Sequence, residues 1–267
     1  QSQIYVVPAQ GGSSVRITDG DEGKFDVSWS PAGTEIAFSA AYEVYVGTYR
    51  VGIYRVASDG KGKPQKVFFP PRGHCLTPEW SPDGRKIAFA WCRYYSEYAA
   101  GYPGRDSQIW TINLSNSRLK QLTFERDFDI YPSWSSWYDR LVFVRRIDYV
   151  VDREELNIWA LCQIYADTGR GFRILRSSTE DCFGAVRWSP DGTKIAFESR
   201  TRIAFESRNR IWILPIIPHE GPAVEILGPD STRASERTAL RDPDWSPDGK
   251  RIVCVVDKTA DGWTVVS

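Results

Sequence analysis

The sequence predicts an all-β fold, a β-propeller built from repeated four-stranded antiparallel blades. Three observations support this prediction: a phrase with tryptophan and a tight turn recurs at nearly constant spacing, short β-forming runs follow each copy, and no amphipathic helical stretch interrupts them. Four short strands in each period of about 50 residues are typical of a propeller blade. We therefore expect residues 1–267 to form a single β-propeller domain.

The recurring phrase is Trp-Ser-Pro-Xaa-Gly, followed by two variable residues and then by Ile-Ala-Phe or a close variant. Full copies begin at Trp29, Trp80, Trp188 and Trp245, and a worn copy, WSSWYDRLVF, begins at Trp134. Consecutive tryptophans are 51 to 57 residues apart. Because proline and glycine at these positions suit a type I turn, each copy predicts a strand that ends in tryptophan, a turn and a second strand.

Two further β runs complete each period, and both are rich in β-branched and aromatic residues. The third runs are IYRVASDG (53–60), IWTINLSN (109–116), NIWALCQI (157–164) and RIWILPII (210–217). The fourth runs are KVFF (66–69), KQLTF (120–124), RILRSS (173–178) and VEILG (224–228). Each period therefore contains the four strands that one blade requires.

This order of phrases resembles the TolB-type propeller repeat, in which WSPDG is followed by IAF-like, IYV-like and RLT-like strands. The resemblance covers essentially the whole chain and implies the fold more strongly than any activity. Since TolB itself is periplasmic, the resemblance implies a periplasmic or secreted location. Similar propellers precede the hydrolase domains of prolyl oligopeptidase-like peptidases, but no GxSxG motif occurs here and no room remains for that domain.

The chain ends bear on the number of blades. The N-terminus supplies a third and a fourth strand, and the C-terminus supplies a first and a second strand with a candidate third. Five blades are favoured, with the last blade completed from both chain ends, because this pairing covers terminal edges that invite aggregation. A count of five leaves one strand in surplus, since IYVVP (4–8) and WTVVS (263–267) both qualify as third strands. The alternative is a six-bladed ring, usual in the resembled family, which would need another copy of the Trp phrase unless the chain is a fragment of a longer one.

Residues 193–208 contain the second-strand phrase twice, as TKIAFESR followed directly by TRIAFESR. An insertion of eight residues preserves the alternation of inward and outward side chains along a strand. We expect residues 194–198 to form the paired second strand and residues 199–206 to form a hairpin arm beyond it. Neither copy resembles a catalytic motif.

Composition excludes several classes of protein. The 34 basic and 34 acidic residues balance, so there is no general electrostatic reason to bind nucleic acid or an anionic membrane. No run approaches the roughly 18 apolar residues of a membrane span. The five cysteines form no CxxC motif, so we expect no zinc, iron–sulfur or haem cofactor. A disulfide between Cys75 and Cys92 and buried free thiols remain alternatives.

The loops from each fourth strand to the next first strand should gather around the channel mouth, because they enter the innermost strands. Asp26, Asp129, Asp181 and Asp242 are the best-placed carboxylates, and His74 lies in the blade that lacks one there. Converging carboxylates suit a hard cation such as Ca²⁺, for which these four aspartates are candidate ligands. The alternative is that acidic loop residues cap turns and face water.

The loops from second to third strands, predicted at 40–52, 91–107 and 145–156, are long and aromatic. Tyrosine offers a large contact area with few bonds to freeze, which favours binding surfaces. The alternative is that these segments extend the hairpins and that half of the tyrosines pack between blades. The candidate binding residues are Tyr42, Tyr45, Tyr49, Tyr94, Tyr95, Tyr98 and Tyr102, together with His74, Asp129 and Asp181.

These observations favour a non-catalytic scaffold module that binds a protein partner through its tyrosine-rich face, as a subunit of an extracytoplasmic assembly. A carbohydrate- or peptide-binding module is the alternative, since tyrosines beside carboxylates suit sugars. A propeller hydrolase or lyase is less favoured. His74 with Asp129 or Asp181 is the one candidate set for it, because His219 is predicted on the opposite face.

Overall fold

The computed structural model describes residues 2–8, 12–45, 48–93, 106–124, 127–151, 154–201, 209–216, 221–227, 238–258 and 262–266. Within these ranges all helical or strand structure is β-strand, as the sequence predicts. No helix there is long and apolar enough to cross a membrane. The chain divides into two compact units, Gln1–Pro132 and Ser133–Ser267. A single domain and five blades stay predictions.

The first unit contains a short N-terminal hairpin and two four-stranded blades. In each blade the strands pair antiparallel in chain order, so the predicted meander is confirmed. The hairpin is β1 (Tyr5–Val6) and β2 (Val15–Arg16); the blades are β3 (Lys24–Trp29), β4 (Glu35–Tyr45), β5 (Thr48–Ala57) and β6 (Gln65–Phe68), then β7 (His74–Trp80), β8 (Lys86–Cys92), β9 (Ser107–Asn113) and β10 (Leu119–Gln121).

The second unit continues the same order of strands, and its C-terminal run does form a third strand, because β21 pairs with β20. Strand β11 (Phe128–Trp134) spans the boundary between the units. The other strands are β12 (Arg140–Val151), β13 (Glu154–Tyr165) and β14 (Arg173–Ser178), then β15 (Asp181–Trp188), β16 (Lys194–Thr201), β17 (Asn209–Pro215) and β18 (Val224–Leu227), then β19 (Thr238–Trp245), β20 (Ile252–Lys258) and β21 (Gly262–Val266).

Each full copy of the repeated phrase forms the expected tight turn between its first and second strands. In the turn after β15, the Gly192 N–H donates to the Ser189 carbonyl at 2.9 Å, and Gly192 has a φ of 67° that favours glycine. The Asp191 carboxylate accepts the Ser189 hydroxyl, and this hydrogen bond is the main reason that the pKa of Asp191 is lowered. The same contact between serine and aspartate recurs at Asp83 and Asp248.

The Ile-Ala-Phe phrase carries the core of the blades. Its alternating side chains point into the sheet interfaces, so its phenylalanine is enclosed on both sides. In the first unit, Trp80 and Phe89 of one blade pack with Ala37 and Ile53 of the preceding blade. The core of this unit therefore lies between consecutive blades. The fully buried phenylalanines of the phrase are Phe38, Phe89, Phe143 and Phe197.

The first copy of the duplicated phrase forms the paired second strand, which confirms the prediction for residues 194–198. Phe197 lies opposite Trp212 of β17, and the strand also pairs with β15. Beyond it, Ser199 and Arg200 continue the hairpin by pairing with the start of β17. The rest of the predicted arm, residues 202–206, lies outside the described residues.

Two of the three predicted loops between second and third strands are instead strand extensions. Strand β4 runs on to Tyr45 before β5 begins at Thr48, and β12 runs on to Val151 before β13 begins at Glu154. Of the two alternatives for these segments, the structure therefore shows hairpin extension and not long loops, because alternating aromatic and β-branched residues favour a continued antiparallel pair. Most of the third segment, residues 94–105, lies outside the described residues.

All five cysteines lie within the described residues, and none of them forms a disulfide. Cys75 and Cys92 are buried on the paired strands β7 and β8. Burial raises the pKa of the Cys75 thiol well above its ordinary value, with a smaller contribution from Cys92. Of the two alternatives for this pair, the structure therefore shows buried thiols.

Deleting either copy of the duplicated phrase should leave its blade folded. Removal of residues 201–208 keeps TKIAFESR, and removal of 193–200 keeps TRIAFESR, so the two shortened chains differ in one residue. Either phrase presents the same side chains to the core and leaves a four-residue hairpin loop. We expect both chains to melt within about 4 °C of the intact protein by circular dichroism.

The two shortened chains act as controls for each other, because they differ by a single exchange of lysine and arginine. Equal melting temperatures are expected for them. Loss of β-structure in both would show that the second copy is required by the blade, and loss in one would show that the copies are not interchangeable.

Candidate functional site

The first strands of the blades share a bulge just before the tryptophan. Pairing with the second strand shifts between Phe25 and Ser28 in β3, and similar shifts occur in β7 and β19. In β3, β7, β11 and β19 the residue three positions before the tryptophan has a positive φ, a backbone conformation that is disfavoured for residues with a side chain. The left-handed residues are Asp26 (φ 52°), Thr77 (φ 50°), Tyr131 (φ 56°) and Asp242 (φ 51°).

In the first unit these bulges are joined by hydrogen bonds from side chain to backbone. Asp26 Oδ2 accepts the N–H of Thr77 at 3.0 Å and the hydroxyl of Ser39 at 3.5 Å. Thr77 Oγ1 in turn accepts the N–H of Tyr131 at 3.3 Å. Asp26, predicted as a candidate metal ligand, thus holds the inner strand of the next blade in place.

In the second unit Glu198 makes the corresponding contact. Strand β15 has Gly184 at its bulge, and a Cβ there would lie 2.6 Å from Glu198 Oε2. The glycine therefore leaves room for the Glu198 carboxylate, which accepts the backbone N–H of Asp242. Glu198 directly follows the Ile-Ala-Phe phrase, where the other second strands have Ser39, Ala90, Val144 and Val255.

Glu198 is a buried acid whose pKa lies near neutrality. Burial is the largest cause, the Asp242 carboxylate adds to it, and together they raise the pKa of Glu198 to about 7. Arg200, at 3.8 Å, and Arg241 act in the opposite direction. Sequence analysis did not select Glu198, although a carboxylate where the other copies have small or aliphatic residues was a usable signal.

His74 lies at the start of β7 and is buried, where it pairs with Cys92 of β8 and bridges Val51 of β5. The backbone before it approaches β8 very closely, since a Cβ on Gly73 would clash with the Cys92 carbonyl oxygen. Burial lowers the pKa of His74, which favours the neutral imidazole. His74 is thus part of a strand and not of an open loop.

The remaining two aspartates also have structural contacts. Asp129 is fully buried inside β11, and its backbone carbonyl accepts the Ser107 hydroxyl at 2.9 Å. Asp181 is partly buried at the start of β15, where its N–H donates to Ser178 Oγ at 2.9 Å. Asp129 was predicted in a loop. The structure places it in a strand, because β11 already begins at the buried residue Phe128.

Among the described residues, no group of three or more histidine, cysteine, aspartate or glutamate side chains is close enough to hold a metal ion. Asp26 and Asp129 belong to the first unit, and Asp181 and Asp242 belong to the second. The Ca²⁺ site built from these four aspartates stays a prediction.

The tyrosines predicted to form a binding face differ in their surroundings. The centroid of the Tyr42 ring lies 5.1 Å from the ring centroid of Tyr54 and 6.3 Å from that of Phe69, so Tyr42 packs on the first blade. Tyr49, near the end of the β4–β5 hairpin, is exposed. Tyr45 belongs to β4, and its side chain lies outside the described part of the structure. The other four, Tyr94, Tyr95, Tyr98 and Tyr102, are outside the described residues.

The antiparallel blades and their linked inner strands define a TolB-like β-propeller. The TolB candidate of Agrobacterium tumefaciens matches with a TM-score of 0.63 and 17% identity, over 93% of this chain and 75% of that one. TolB from Acinetobacter baumannii matches with a TM-score of 0.55 and 18% identity, over 90% of this chain and 48% of that one. Such low identities show the fold alone.

An oligogalacturonate lyase in complex with manganese also matches, with a TM-score of 0.60 and 14% identity over 99% of this chain and 69% of the lyase. Among curated proteins, an uncharacterised protein of Agrobacterium fabrum is 22% identical over 214 residues. That match covers 74% of this chain and 61% of the relative, so the chain spans less than two thirds of that relative's length. No protein-family model matches the sequence.

Replacement of Glu198 by glutamine should flatten the pH dependence of stability. The folded pKa, about 7, lies above the ordinary value of 4.5, so the folded protein retains a proton that the unfolded chain releases. The contribution of Glu198 to the free energy of unfolding is therefore complete below pH 4.5. It decreases by up to about 1.4 kcal/mol per pH unit as the pH rises toward 7. Glu198→Gln keeps the hydrogen-bond acceptor and removes the titration.

We would measure melting temperatures from pH 4.5 to 8 for the wild type, Glu198→Gln and the control Glu225→Gln. Glu225 forms a partly exposed ion pair with Arg210 at 3.5 Å, so its variant should keep the wild-type slope. If the melting temperatures of the wild type and Glu198→Gln changed equally with pH, that result would contradict the raised pKa of Glu198.

Proposed function

We propose that the protein is a non-catalytic protein-interaction module of TolB-like type, which binds its partner through the tyrosine-bearing ends of its hairpins. Similarity to two TolB structures supports the coarse assignment. We choose the hairpin ends as the binding surface because Tyr49, near the end of the β4–β5 hairpin, is 55% exposed. An exposed tyrosine provides contact area at a small cost in conformational entropy.

The surroundings of the candidate catalytic groups support a non-catalytic role. A general base must reach the proton that it removes. His74 is buried against β5 and β8, and Asp129 is fully buried within β11. Asp181 lies at the start of β15, and its backbone N–H donates to Ser178 Oγ. These contacts favour roles in holding strands together.

We place this function in the periplasm or outside the cell, by similarity to TolB. A carbohydrate- or peptide-binding module is the alternative. Because the fold is similar to that of an oligogalacturonate lyase in complex with manganese, both the carbohydrate-binding hypothesis and the enzyme hypothesis are tested below. Nucleic acid is not proposed as a partner, because basic and acidic residues are equal in number.

Replacement of Tyr49 by alanine should weaken capture of a protein partner. The full chain would be immobilised and exposed to extract of its source cells, and retained proteins would be quantified by mass spectrometry. We expect a partner held by the wild type to fall at least about fivefold with Tyr49→Ala, the loss typical of a significant interface residue. Tyr5→Ala is the matched control, since Tyr5 is also 55% exposed.

Equal retention by all three proteins would contradict a binding role for this hairpin. Glycan binding on an array, lost with Tyr49→Ala, would favour the carbohydrate-binding alternative. Hydrolase or lyase turnover that disappears with His74→Ala in a folded protein would contradict the non-catalytic assignment.

A further inference from the structure

The blades of this protein are joined to their neighbours in different ways. In the first unit a third strand pairs in parallel with the next first strand, Val51 with His74 and Ser107 with Phe128. These backbone bridges make the sheets of the first two blades continuous with each other and with β11. Within the described part of the chain, β15–β18 and β19–β21 instead form separate sheets. Side-chain contacts therefore join the last blade, β19–β21, to the preceding blade, β15–β18.

The contacts between these two blades are both polar and apolar. The Trp245 indole N–H donates to the Arg187 carbonyl at 3.3 Å. The Glu198 carboxylate accepts the backbone N–H of Asp242. The described apolar core here consists of Ile211, Leu240 and Cys254, with Leu227 packed against them. Since Cys254 is only 2% exposed while the blades touch, its thiol becomes accessible when they separate.

Glu198 reaches the last blade because Gly184 leaves space for its carboxylate. A Cβ on Gly184 would lie 2.6 Å from Oε2 and 2.7 Å from Cδ of Glu198. The backbone of Glu198 is fixed by its pairing with Ile211 of β17. The side chain is buried, with β15 on one side and the backbone of Asp242 as its partner on β19. One side chain thus links β15–β18 to the bulge of β19.

We propose that Glu198 is a latch for the last blade, which opens from the preceding blade as a unit while the other blades stay folded. Local opening is expected where no backbone hydrogen bonds tie one unit to the next. A buried N–H that loses its acceptor destabilises the closed form, so loss of this contact favours opening. The latch does not depend on binding through Tyr49.

Opening would be measured by cysteine labelling of the full chain. N-ethylmaleimide would be added to the native protein, and modification of each cysteine would be followed by mass spectrometry. Each rate would be divided by that of the same cysteine in the urea-unfolded chain, so the ratio reports how often the thiol is exposed. Cys254 reports the last blade, whereas Cys75 on β7 and Cys162 on β13 are fully buried elsewhere.

In the wild type we expect the relative labelling of Cys254 to be at least about tenfold faster than that of Cys75 and Cys162. Glu198→Ala removes the acceptor and should raise the relative labelling of Cys254 by about a further tenfold. Cys75 and Cys162 should change by less than about twofold in this variant. Glu198→Gln keeps an acceptor oxygen, so its Cys254 should be labelled no faster than that of the wild type.

Gly184→Ala tests the same contact from the other strand. Its methyl group would occupy the space of the Glu198 carboxylate, so the relative labelling of Cys254 should rise as it does in Glu198→Ala. Gly221→Ala is the matched control, because a Cβ there would lie at an ordinary 3.5 Å from Pro215 and neither glycine has a positive φ. Its labelling should stay within about twofold of the wild type.

Equal relative labelling of Cys75, Cys162 and Cys254 in the wild type would show a single global opening and would overturn the latch. Unchanged labelling of Cys254 in Glu198→Ala and Gly184→Ala would overturn it as well. So would a Glu198→Gln variant that is labelled as fast as Glu198→Ala. Capture of a partner through Tyr49 is a separate measurement, so each of these results leaves the proposed function untouched.

Discussion

Hydrogen bonds between the bulged inner strands are the contacts on which the blades of this protein depend. A left-handed residue turns its N–H out of the ladder of its own blade, and a buried N–H without an acceptor costs about 1–3 kcal/mol. In the first unit Asp26 and Thr77 supply acceptors for the strands that follow them. In this unit, β3 and β7 therefore each supply a hydrogen-bond acceptor to the first strand of the next blade.

In the second unit, the acceptor for the backbone N–H at a bulge comes from a second strand and not from a first strand. In β15 the position that corresponds to Asp26 and Thr77 is Ala185, whose methyl group cannot accept a hydrogen bond. Glu198 of β16, for which Gly184 leaves room, accepts the backbone N–H of Asp242 instead. The cost is a buried acid beside another carboxylate, which explains a pKa near neutrality. Under the proposed function, we therefore expect recognition at the ends of the blades, where turns and hairpins can vary without disturbing the core.

Much of the fold could be predicted from sequence because its signals are local. Tryptophan, the Ser-Pro-Asp-Gly turn and the alternating Ile-Ala-Phe strand lie within ten residues of one another, and they placed the strands correctly. The bulges could not be predicted, since Asp26 and Thr77 carry no signal for a positive φ. The burial of Asp129 and the reach of Glu198 depend on neighbouring strands. The sequence left loops and extended hairpins as alternatives for the tyrosine-rich segments, because tyrosine suits both strands and binding loops.

The duplicated phrase gives this protein a way to change over generations. Tandem copies in a gene are prone to unequal recombination, which adds or removes a whole copy at a time. Each event here would alter the chain by eight residues, and the face that each side chain presents would be inherited unchanged. The hairpin between β16 and β17 is thus a place where lineages can differ in length while keeping the same buried phenylalanine.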